Sequence, residues 1–261
     1  MRKKMNFFFC LLASLLLFSS SQLKPAKQSI YQLTVYHFTT AEQEKLLDNY
    51  LQHALLPALH RQNYSSIGVF KAIANDTAKQ KQIYVLIPAT STESFAAITT
   101  KLEKDSDYLQ AGKEYLDAVY TAAPYSRIET ILLKAFHLAP TLTKPNLQSA
   151  KKERVYELRS YESATEKIFR NKVHMFNEGD EIGLFKRLNF NAIFYSEVIA
   201  GGKMPNLMYM TSFENMDDRN AHWKAFGADP QWKKLSGDPF YKNNVSHIDI
   251  TFLRPADYSD Y

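Results

Sequence analysis

Cysteine and glycine are scarce in this chain of 261 residues. The single cysteine, Cys10, lies in an N-terminal segment that has the features of a removable signal. The remaining chain can therefore form no disulfide and can use no thiol nucleophile or thiolate metal ligand. The 8 glycines leave little room for a glycine-rich phosphate loop. Neither a nucleophile elbow nor an H-E-x-x-H metalloprotease motif is present in the sequence.

A strong excess of positive charge is also missing. The formal net charge is +5, from 32 basic and 27 acidic residues. Three of the basic residues, at positions 2–4, belong to the N-terminal segment, and without them 29 basic residues face 27 acidic ones, a net charge of +2. That balance is ordinary for a protein surface and gives no electrostatic footprint for phosphates, so we predict no nucleic-acid partner.

Only the N-terminus carries a long apolar run. Basic residues at 2–4, residues 7–18 that are apolar apart from Ser14, and serines at 19–21 follow the order of a secretory signal. The run is shorter than the roughly 20 residues that span a bilayer. We therefore predict a signal peptide at residues 1–21, a secreted or periplasmic protein, and no membrane span in the mature chain. Retention as an anchor and lipoprotein processing at Cys10 are the alternatives.

The rest of the sequence contains an internal repeat. Apolar residues make up 45% and charged residues 23%, which is enough apolar material for a folded core. The matched segments are 30–36 with 155–161, 83–86 with 208–211, and 126–134 with 246–254. The first two pairs are offset by 125 residues and the third by 120. We predict two copies of one unit, at residues 29–136 and 155–256, joined by a proline-bearing linker at 137–154.

Each copy has the pattern strand, helix, strand, strand, helix, strand. In the second copy the predicted strands are 155–161, 191–200, 206–213 and 247–253, and the predicted helices are 165–186 and one that begins near Asn215. The helices of the first copy are predicted near 41–61 and 91–104. The order βαββαβ is that of the ferredoxin-like split unit, which leaves one apolar sheet face uncovered. The predicted fold is therefore α+β, with two ferredoxin-like βαββαβ repeats that form an intramolecular dimeric α+β barrel. The chain would be a monomeric pseudo-dimer or would assemble further as a homo-oligomer.

The second copy resembles the NIPSNAP family. The resemblance is carried by Val155-Tyr156-Glu157-Leu158-Arg159, the hairpin strand 206–210, Ala221-His222-Trp223, Asp229-Pro230-Gln231-Trp232 and Phe252-Leu253-Arg254-Pro255. The first copy is more divergent and lacks the tryptophans. The resemblance implies a dimeric α+β barrel fold, and it implies no settled catalytic residues. Families of the same fold include small monooxygenases, haem-degrading enzymes and binding proteins, so the fold alone does not assign a function.

Two candidate sites come from helix and strand spacing in the second copy. His174 and Glu178 lie four residues apart on one predicted helix face, where they could bind a metal, position a haem or move a proton. A solvated helix face is the alternative. Tyr156, Tyr161 and Tyr209 lie on strands that would meet in the barrel, where they could line a pocket or belong to the core.

Aromatic and charged residues supply two further candidates. Trp223 and Trp232 bracket the second helix, where they could pack the helix onto the sheet or stack on a flat ligand. Glu157 and Arg159 share one face of their strand, and they form either an exposed ion pair or polar contacts inside the barrel. Periodicity does not decide which face is inner.

From these patterns we predict an exported protein that binds a small, partly apolar ligand in the barrel. A cofactor-independent monooxygenase or haem-handling enzyme and a protein-interaction module are the alternatives, so whether the protein is an enzyme stays open. The predicted ligand-binding residues are Tyr156, Arg159, His174, Glu178, Tyr209 and Trp223. We assign no catalytic residue and predict no metal and no cofactor.

Overall fold

The computed structural model describes residues 27–89 and 91–261. The predicted signal peptide at residues 1–21 lies outside these described residues. Among the helices of the described ranges, none has the length and apolar character needed to cross a membrane.

Each half of the chain has four strands, with helices between its first and second strands and between its third and fourth. The first half comprises β1 (Ile30–Phe38), α1 (Ala41–Tyr50), a π-helical turn (Leu51–Leu55), α2 (Leu56–Arg61), β2 (Gly68–Ala72), β3 (Lys81–Ala89), α3 (Thr92–Leu102), α4 (Ser106–Ala111), α5 (Lys113–Leu116) and β4 (Arg127–Ala135). The second half comprises β5 (Val155–Glu162), α6 (Glu166–Asn177), α7 (Glu181–Arg187), β6 (Asn191–Ala200), β7 (Asn206–Phe213), α8 (Met216–Ala228), α9 (Pro230–Gly237) and β8 (His247–Pro255). Single 3₁₀ turns lie at Ile73–Asp76, Tyr120–Ala122 and Pro239–Tyr241.

The strands of the described residues close into one barrel. Its order is β1-β3-β2-β8-β5-β7-β6-β4, and every neighbouring pair is antiparallel. The halves contribute β4-β1-β3-β2 and β8-β5-β7-β6, which is the same order twice, and they join through β2 with β8 and β4 with β6. Closure leaves no free strand edge, and the fold is a mixed α/β fold with a closed eight-stranded barrel.

Side chains from both halves fill the barrel interior. This core includes Tyr31, Phe70, Tyr156, Leu158 and Tyr261, all of them buried. The helices pack against the outside of the barrel, where each half has an apolar layer of its own. The protein therefore has one shared core inside the barrel and two separate layers between sheet and helices.

The alternation along β5 decides the question that periodicity left open. Tyr156 and Leu158 belong to the barrel core, so Glu157 and Arg159 point outward, under the helices of the second half. Tyr161 and Tyr209 belong to the same helix-side layer.

One of the long predicted helices is interrupted, and another contains a π-helical turn. The prediction of one helix over 165–186 is wrong at residues 178–180, where Asp180 adopts a left-handed backbone with φ of 62° between α6 and α7. The predicted start is confirmed, since Thr165 caps α6 by accepting a hydrogen bond from the Ile168 N–H. In the first half, a π-helical turn precedes α2, and Pro57 occupies the first turn of α2, where its missing N–H costs little.

The second of the three repeat matches is wrong by one residue. Thr34 pairs with Val85 and Arg159 pairs with Tyr209. Because Thr34 and Arg159 correspond, the counterpart of Tyr209 is Val85 rather than Tyr84. Tyr84 points into the barrel, whereas Tyr209 lies under the helices. A shift of one residue in a strand moves a side chain to the opposite face.

The segment that connects the halves is packed against both of them. Leu147 is buried in the barrel core. The Thr143 N–H donates to the Ile193 carbonyl, and the backbone N–H groups of Gln148 and Ser149 donate to the Glu214 carboxylate. This segment has no helix or strand, yet its hydrogen bonds hold it in place.

Candidate functional site

A cavity of about 690 Å³ lies in the second half between the outer face of the sheet and helices α6, α8 and α9. Three of the six predicted ligand-binding residues, Arg159, Tyr209 and Trp223, line it. The sequence predicted a site inside the barrel, but this cavity lies outside the barrel wall. A second cavity, of about 540 Å³, lies between the connecting segment and β6. The ionisable side chains in its lining are Lys144, Lys186 and Tyr195.

Side-chain caps begin the helices that wall the cavity. Asn215 accepts a hydrogen bond from the Asp218 N–H at the start of α8, and Asp229 accepts one from the Gln231 N–H at the start of α9. An aromatic cluster then holds these helices on the sheet: Phe185, Phe190, Trp223, Phe226 and Trp232 pack with ring centroids 4.6–5.9 Å apart. The cluster makes the apolar wall of the cavity.

A buried carboxylate organises the cationic side of the cavity. Glu157 is fully buried and accepts hydrogen bonds from Arg159 Nε at 2.7 Å, from Arg219 at 2.9 Å through both Nε and Nη2, and from Trp223 Nε1 at 2.7 Å. The Arg159 guanidinium also lies over the Trp223 ring, with Cζ 3.7 Å from the ring centroid. Arg159 is thereby held in one orientation facing the cavity.

The charges of this cluster are mutually stabilised. Burial tends to raise the pKa of Glu157, but hydrogen bonds and charge interactions with Arg219 and Arg159 outweigh burial, so its pKa is lowered. Burial alone would lower the pKa of Arg159, but Tyr209, Tyr161 and Glu157 raise it above its usual value. Both groups are therefore ionised at neutral pH.

Two phenols form the floor of the cavity. The hydroxyl oxygens of Tyr161 and Tyr209 lie 2.9 Å apart, and Arg159 Nη1 donates to the Tyr161 hydroxyl at 3.0 Å. Burial raises the pKa of Tyr209 well above its usual value, and the opposing effect of Arg159 is smaller. Tyr209 therefore stays protonated at neutral pH and does not act as a base, and its hydroxyl can donate or accept a hydrogen bond.

A buried ion pair closes the inner end of the cavity. Lys172 Nζ donates to Glu181 Oε2 at 2.8 Å, and both side chains are almost completely buried. The ammonium also contacts Met175 Sδ at 3.3 Å and lies 4.6 Å from the centroid of the Phe176 ring. The lysine is thus neutralised by a single carboxylate inside an aromatic environment.

The other three predicted residues do not meet at this cavity. Tyr156 is buried in the barrel core against Phe70 and Tyr261. His174 and Glu178 are both exposed and have different partners: His174 Nδ1 lies 2.9 Å from the Tyr241 hydroxyl, and Glu178 pairs with His137 at 3.2 Å. The i, i+4 spacing therefore does not create a joint site.

The sequence analysis missed Lys172 and Glu181. Lys172 lies three residues after Phe169 and four before Phe176, both of them buried, so it falls on the apolar face of α6. A lysine on such a face is the signal that could have marked it. Glu181 follows a left-handed residue that the sequence did not reveal, so no comparable signal marks it.

Comparison with known proteins assigns the second half to a family. The NIPSNAP family model matches residues 156–260. Residues 156–260 form a NIPSNAP domain. The resemblance predicted over Val155 to Pro255 is thereby confirmed, and the cavity with all its charged residues lies within the NIPSNAP domain. No curated protein matches the chain.

Solved structures share the fold across both halves. A candidate monooxygenase from Lactobacillus acidophilus NCFM is 10% identical, with a TM-score of 0.56 over 88% of this chain and 94% of its own. A second candidate monooxygenase, from Fusobacterium nucleatum, is 8% identical, with a TM-score of 0.56 over 88% of this chain and 93% of its own. A NIPSNAP family protein from Agrobacterium tumefaciens C58 is 20% identical, with a TM-score of 0.36 over 41% of this chain and 97% of its own. At these identities the likeness to the first two shows the fold alone.

Proposed function

We propose that the NIPSNAP domain binds a small, partly apolar molecule with an anionic group in the cavity beside Arg159. The observation that carries the proposal is an oriented guanidinium, 11% exposed, that faces an aromatic cavity of about 690 Å³. A cavity of this size with apolar walls and a few polar groups is typical of small-molecule sites. Arg159 and the two phenols would bind the polar end, and Trp223 with Phe226 would contact the apolar part.

The charges around the cavity favour an anion over a cation. The cationic residues that line it or contact its lining are Arg159, Lys172, Arg219 and Lys242, and the carboxylates are Glu157 and Glu181. Positive charge therefore exceeds negative charge by two in these groups. A ligand carboxylate or phosphate would reduce this imbalance. Arg159 Nη1 contacts Tyr161 and Nη2 contacts Glu157, and each of these nitrogens carries a second N–H that could donate to the ligand.

A monooxygenase that needs no cofactor is the second candidate, and the fold of the two solved candidate monooxygenases is what supports it. Such chemistry needs a base to remove a proton from the substrate. In the described lining of the cavity, the Tyr209 phenol is held protonated and Glu181 is paired with Lys172. These protonation states favour ligand binding over abstraction of a substrate proton. Haem handling is tested separately: a haem titration that gives no Soret shift would exclude it.

Fluorescence offers a direct test, because Trp223 and Trp232 are the only tryptophans in the sequence and both line the cavity. The probe is 8-anilinonaphthalene-1-sulfonate, an aromatic anion. We expect saturable energy transfer from tryptophan to one bound probe per chain.

Two glycines supply a matched pair of variants. A Cβ added at Gly227 or at Gly237 meets no atom within 4 Å, so both sites tolerate a side chain, but only Gly227 lines the cavity. Gly227→Phe should weaken probe binding at least tenfold, and Gly237→Phe should leave it unchanged. Equal binding by both variants would contradict the proposal. Native mass spectrometry of protein from its own organism would then identify the natural ligand.

The organisation of the whole chain is part of the proposal. We infer that residues 29–136 and 155–256 are ferredoxin-like repeats of one ancestral unit and that residues 137–154 connect them. We also propose that residues 1–21 direct export and are removed. Intact-mass measurement of the protein from its own organism tests the second inference, because a chain that retains residues 1–21 would contradict it.

A further inference from the structure

A cavity of about 320 Å³ opens at one mouth of the barrel, away from the helix-side cavity. Both halves line it: His37, Gln82, Tyr84 and Glu129 come from the first half, and Ser160, Lys203, Asn206 and Asp249 from the second. Its deeper wall is apolar, with Val35, Leu158 and Met208. None of the residues predicted from the sequence to bind a ligand lies in it.

Strand register gathers a set of metal-binding side chains at this mouth. Glu162 pairs with Asn206 on one neighbouring strand and with His247 on the other, and Ser160 pairs with Asp249. Directly paired residues share a sheet face, so these side chains project to the same side. One ligand atom from each of Glu162, His247 and Asp249 lies within 4.8 Å of the others.

The donor set suits a divalent transition metal. An imidazole nitrogen with two carboxylate oxygens is a combination that zinc and similar first-row ions accept. Zinc bonds of about 2.0–2.2 Å place neighbouring donor atoms roughly 3.0–3.5 Å apart. His247 Nε2 and Asp249 Oδ1 are already 3.1 Å apart, and the 58% exposed His247 side chain is free to adjust.

A buried oxygen without a hydrogen-bond partner in the described part of the chain lies at the same mouth. Asn206 is 2% exposed, and its Nδ2 donates to Ser160 Oγ at 2.8 Å. Its carbonyl oxygen is buried and has no hydrogen-bond donor among the described residues. A buried acceptor without a partner is costly. Asn206 pairs directly with Glu162 across the two strands, so a cation bound by Glu162 would lie beside the Asn206 side chain.

We propose that Glu162, His247 and Asp249 bind a divalent first-row metal ion such as zinc at the barrel mouth, with the Asn206 carbonyl oxygen facing the same ion. Lys203 competes with this ion, because its Nζ lies 2.5 Å from Asp249 Oδ2. Metal binding would displace the ammonium from Asp249. The site would then close one end of a cavity that both halves build, which is a role independent of the helix-side cavity.

The test is a calorimetric titration of Zn²⁺ into the chelator-treated full chain. We expect one saturable site per chain. His247→Ala should weaken binding at least tenfold, because it removes the nitrogen ligand. Lys203→Gln should tighten binding several-fold, because it removes the competing charge and keeps a residue of similar length at that position.

His60 supplies the matched control. Its Nε2 lies 3.1 Å from Asp260 Oδ2, the same distance as in the His247–Asp249 pair, and its side chain is 45% exposed. It belongs to no group of three metal-binding residues among the described part of the chain. His60→Ala should therefore leave zinc binding unchanged. An equal loss with His60→Ala, no saturable binding by the wild type, or weaker binding by Lys203→Gln would each overturn the proposal.

Discussion

The two halves have the same strand order, yet the layers beneath their helices differ in chemistry. Under the helices of the first half, β1 carries Gln32 and Thr34, which bond to each other at 2.7 Å. The corresponding residues of β5 are Glu157 and Arg159, and Tyr209 replaces Val85 on the neighbouring strand. The two halves thus share their strand pairing, but only the second places charged groups at these positions.

The helices that cover these layers differ in the same way. Thr40 caps α1 and Thr165 caps α6, and the seventh residue after each cap is Leu47 in the first half and Lys172 in the second. Both side chains are buried. A buried lysine is expensive to desolvate, so its presence at an apolar position points to function, while Leu47 serves packing. This difference agrees with the proposal that the ligand binds in the second half, whereas the corresponding layer of the first half is apolar at this position.

The largest loss of stability should come from replacing Glu157 with glutamine, which is the residue at the corresponding position of the first half, Gln32. Glu157→Gln removes the buried charge to which Arg159, Arg219 and Trp223 all donate hydrogen bonds. We expect a loss of about 3–5 kcal/mol in the free energy of unfolding, because breaking a buried charge cluster leaves its partners uncompensated. Urea unfolding measures it. The control Gln32→Ala removes one half-buried hydrogen bond and should cost about 1 kcal/mol or less. If the two variants lost equal stability, the charged cluster at Glu157 would stabilise its half no more than the neutral Gln32–Thr34 pair stabilises the other.

The next largest effect should come from the buried ion pair of the second half. Lys172→Leu should cost about 3 kcal/mol, because Glu181 is left buried without a partner. Adding Glu181→Leu should restore stability to within about 1 kcal/mol of the wild type, because apolar residues often replace a buried ion pair without loss. If the double variant were as unstable as Lys172→Leu alone, the loss would come from removing the ion pair itself and not from leaving Glu181 buried without a partner.

The pH dependence of stability should also separate the halves. Since the folded pKa of Glu157 lies below its usual value of 4.5, its contribution is fully present above that value and is lost as pH falls through the folded pKa. The stability difference between wild type and Glu157→Gln should therefore be constant near pH 7 and shrink below pH of about 4.5. Urea midpoints at several pH values measure this difference. The difference between wild type and Gln32→Ala should not change over the same range, because no ionisable group is altered.

Sequence patterns predict the helices and strands more accurately than the breaks between them. Alternation predicts β6 and β7 to the residue, and capping residues predict the starts of α6 and α8. The break after Asn177 was missed because a non-glycine residue, Asp180, adopts the left-handed backbone there. The face of Glu157 and Arg159 could not be predicted, because alternation gives two faces without saying which one meets the other half.

The sites themselves depend on contacts between distant parts of the chain. Arg159 and Trp223 were chosen from local patterns, but their common partner Glu157 becomes visible only when α8 lies on β5. At the barrel mouth, Glu162 and His247 are adjacent only through strand pairing. Spacing along one helix suggested His174 with Glu178, and the fold gives them separate partners. Which residues come together in such clusters depends on the pairing of distant strands and helices, and local periodicity does not encode that pairing.

The smallest effect should come from a feature that both halves share. Each has a buried pair of tyrosine hydroxyls, Tyr50 with Tyr108 at 3.0 Å and Tyr161 with Tyr209 at 2.9 Å. Tyr50→Phe and Tyr209→Phe should each cost about 1 kcal/mol, the usual contribution of one hydrogen bond. Probe binding should distinguish them, because only Tyr209 lines the helix-side cavity. Tyr209→Phe should weaken binding of the anionic fluorescent probe about threefold, since it removes a neutral donor and leaves Arg159 in place, while Tyr50→Phe should leave binding unchanged. Equal binding by the two variants would mean that the phenols serve packing in both halves and that Arg159 alone among these polar groups binds the anion.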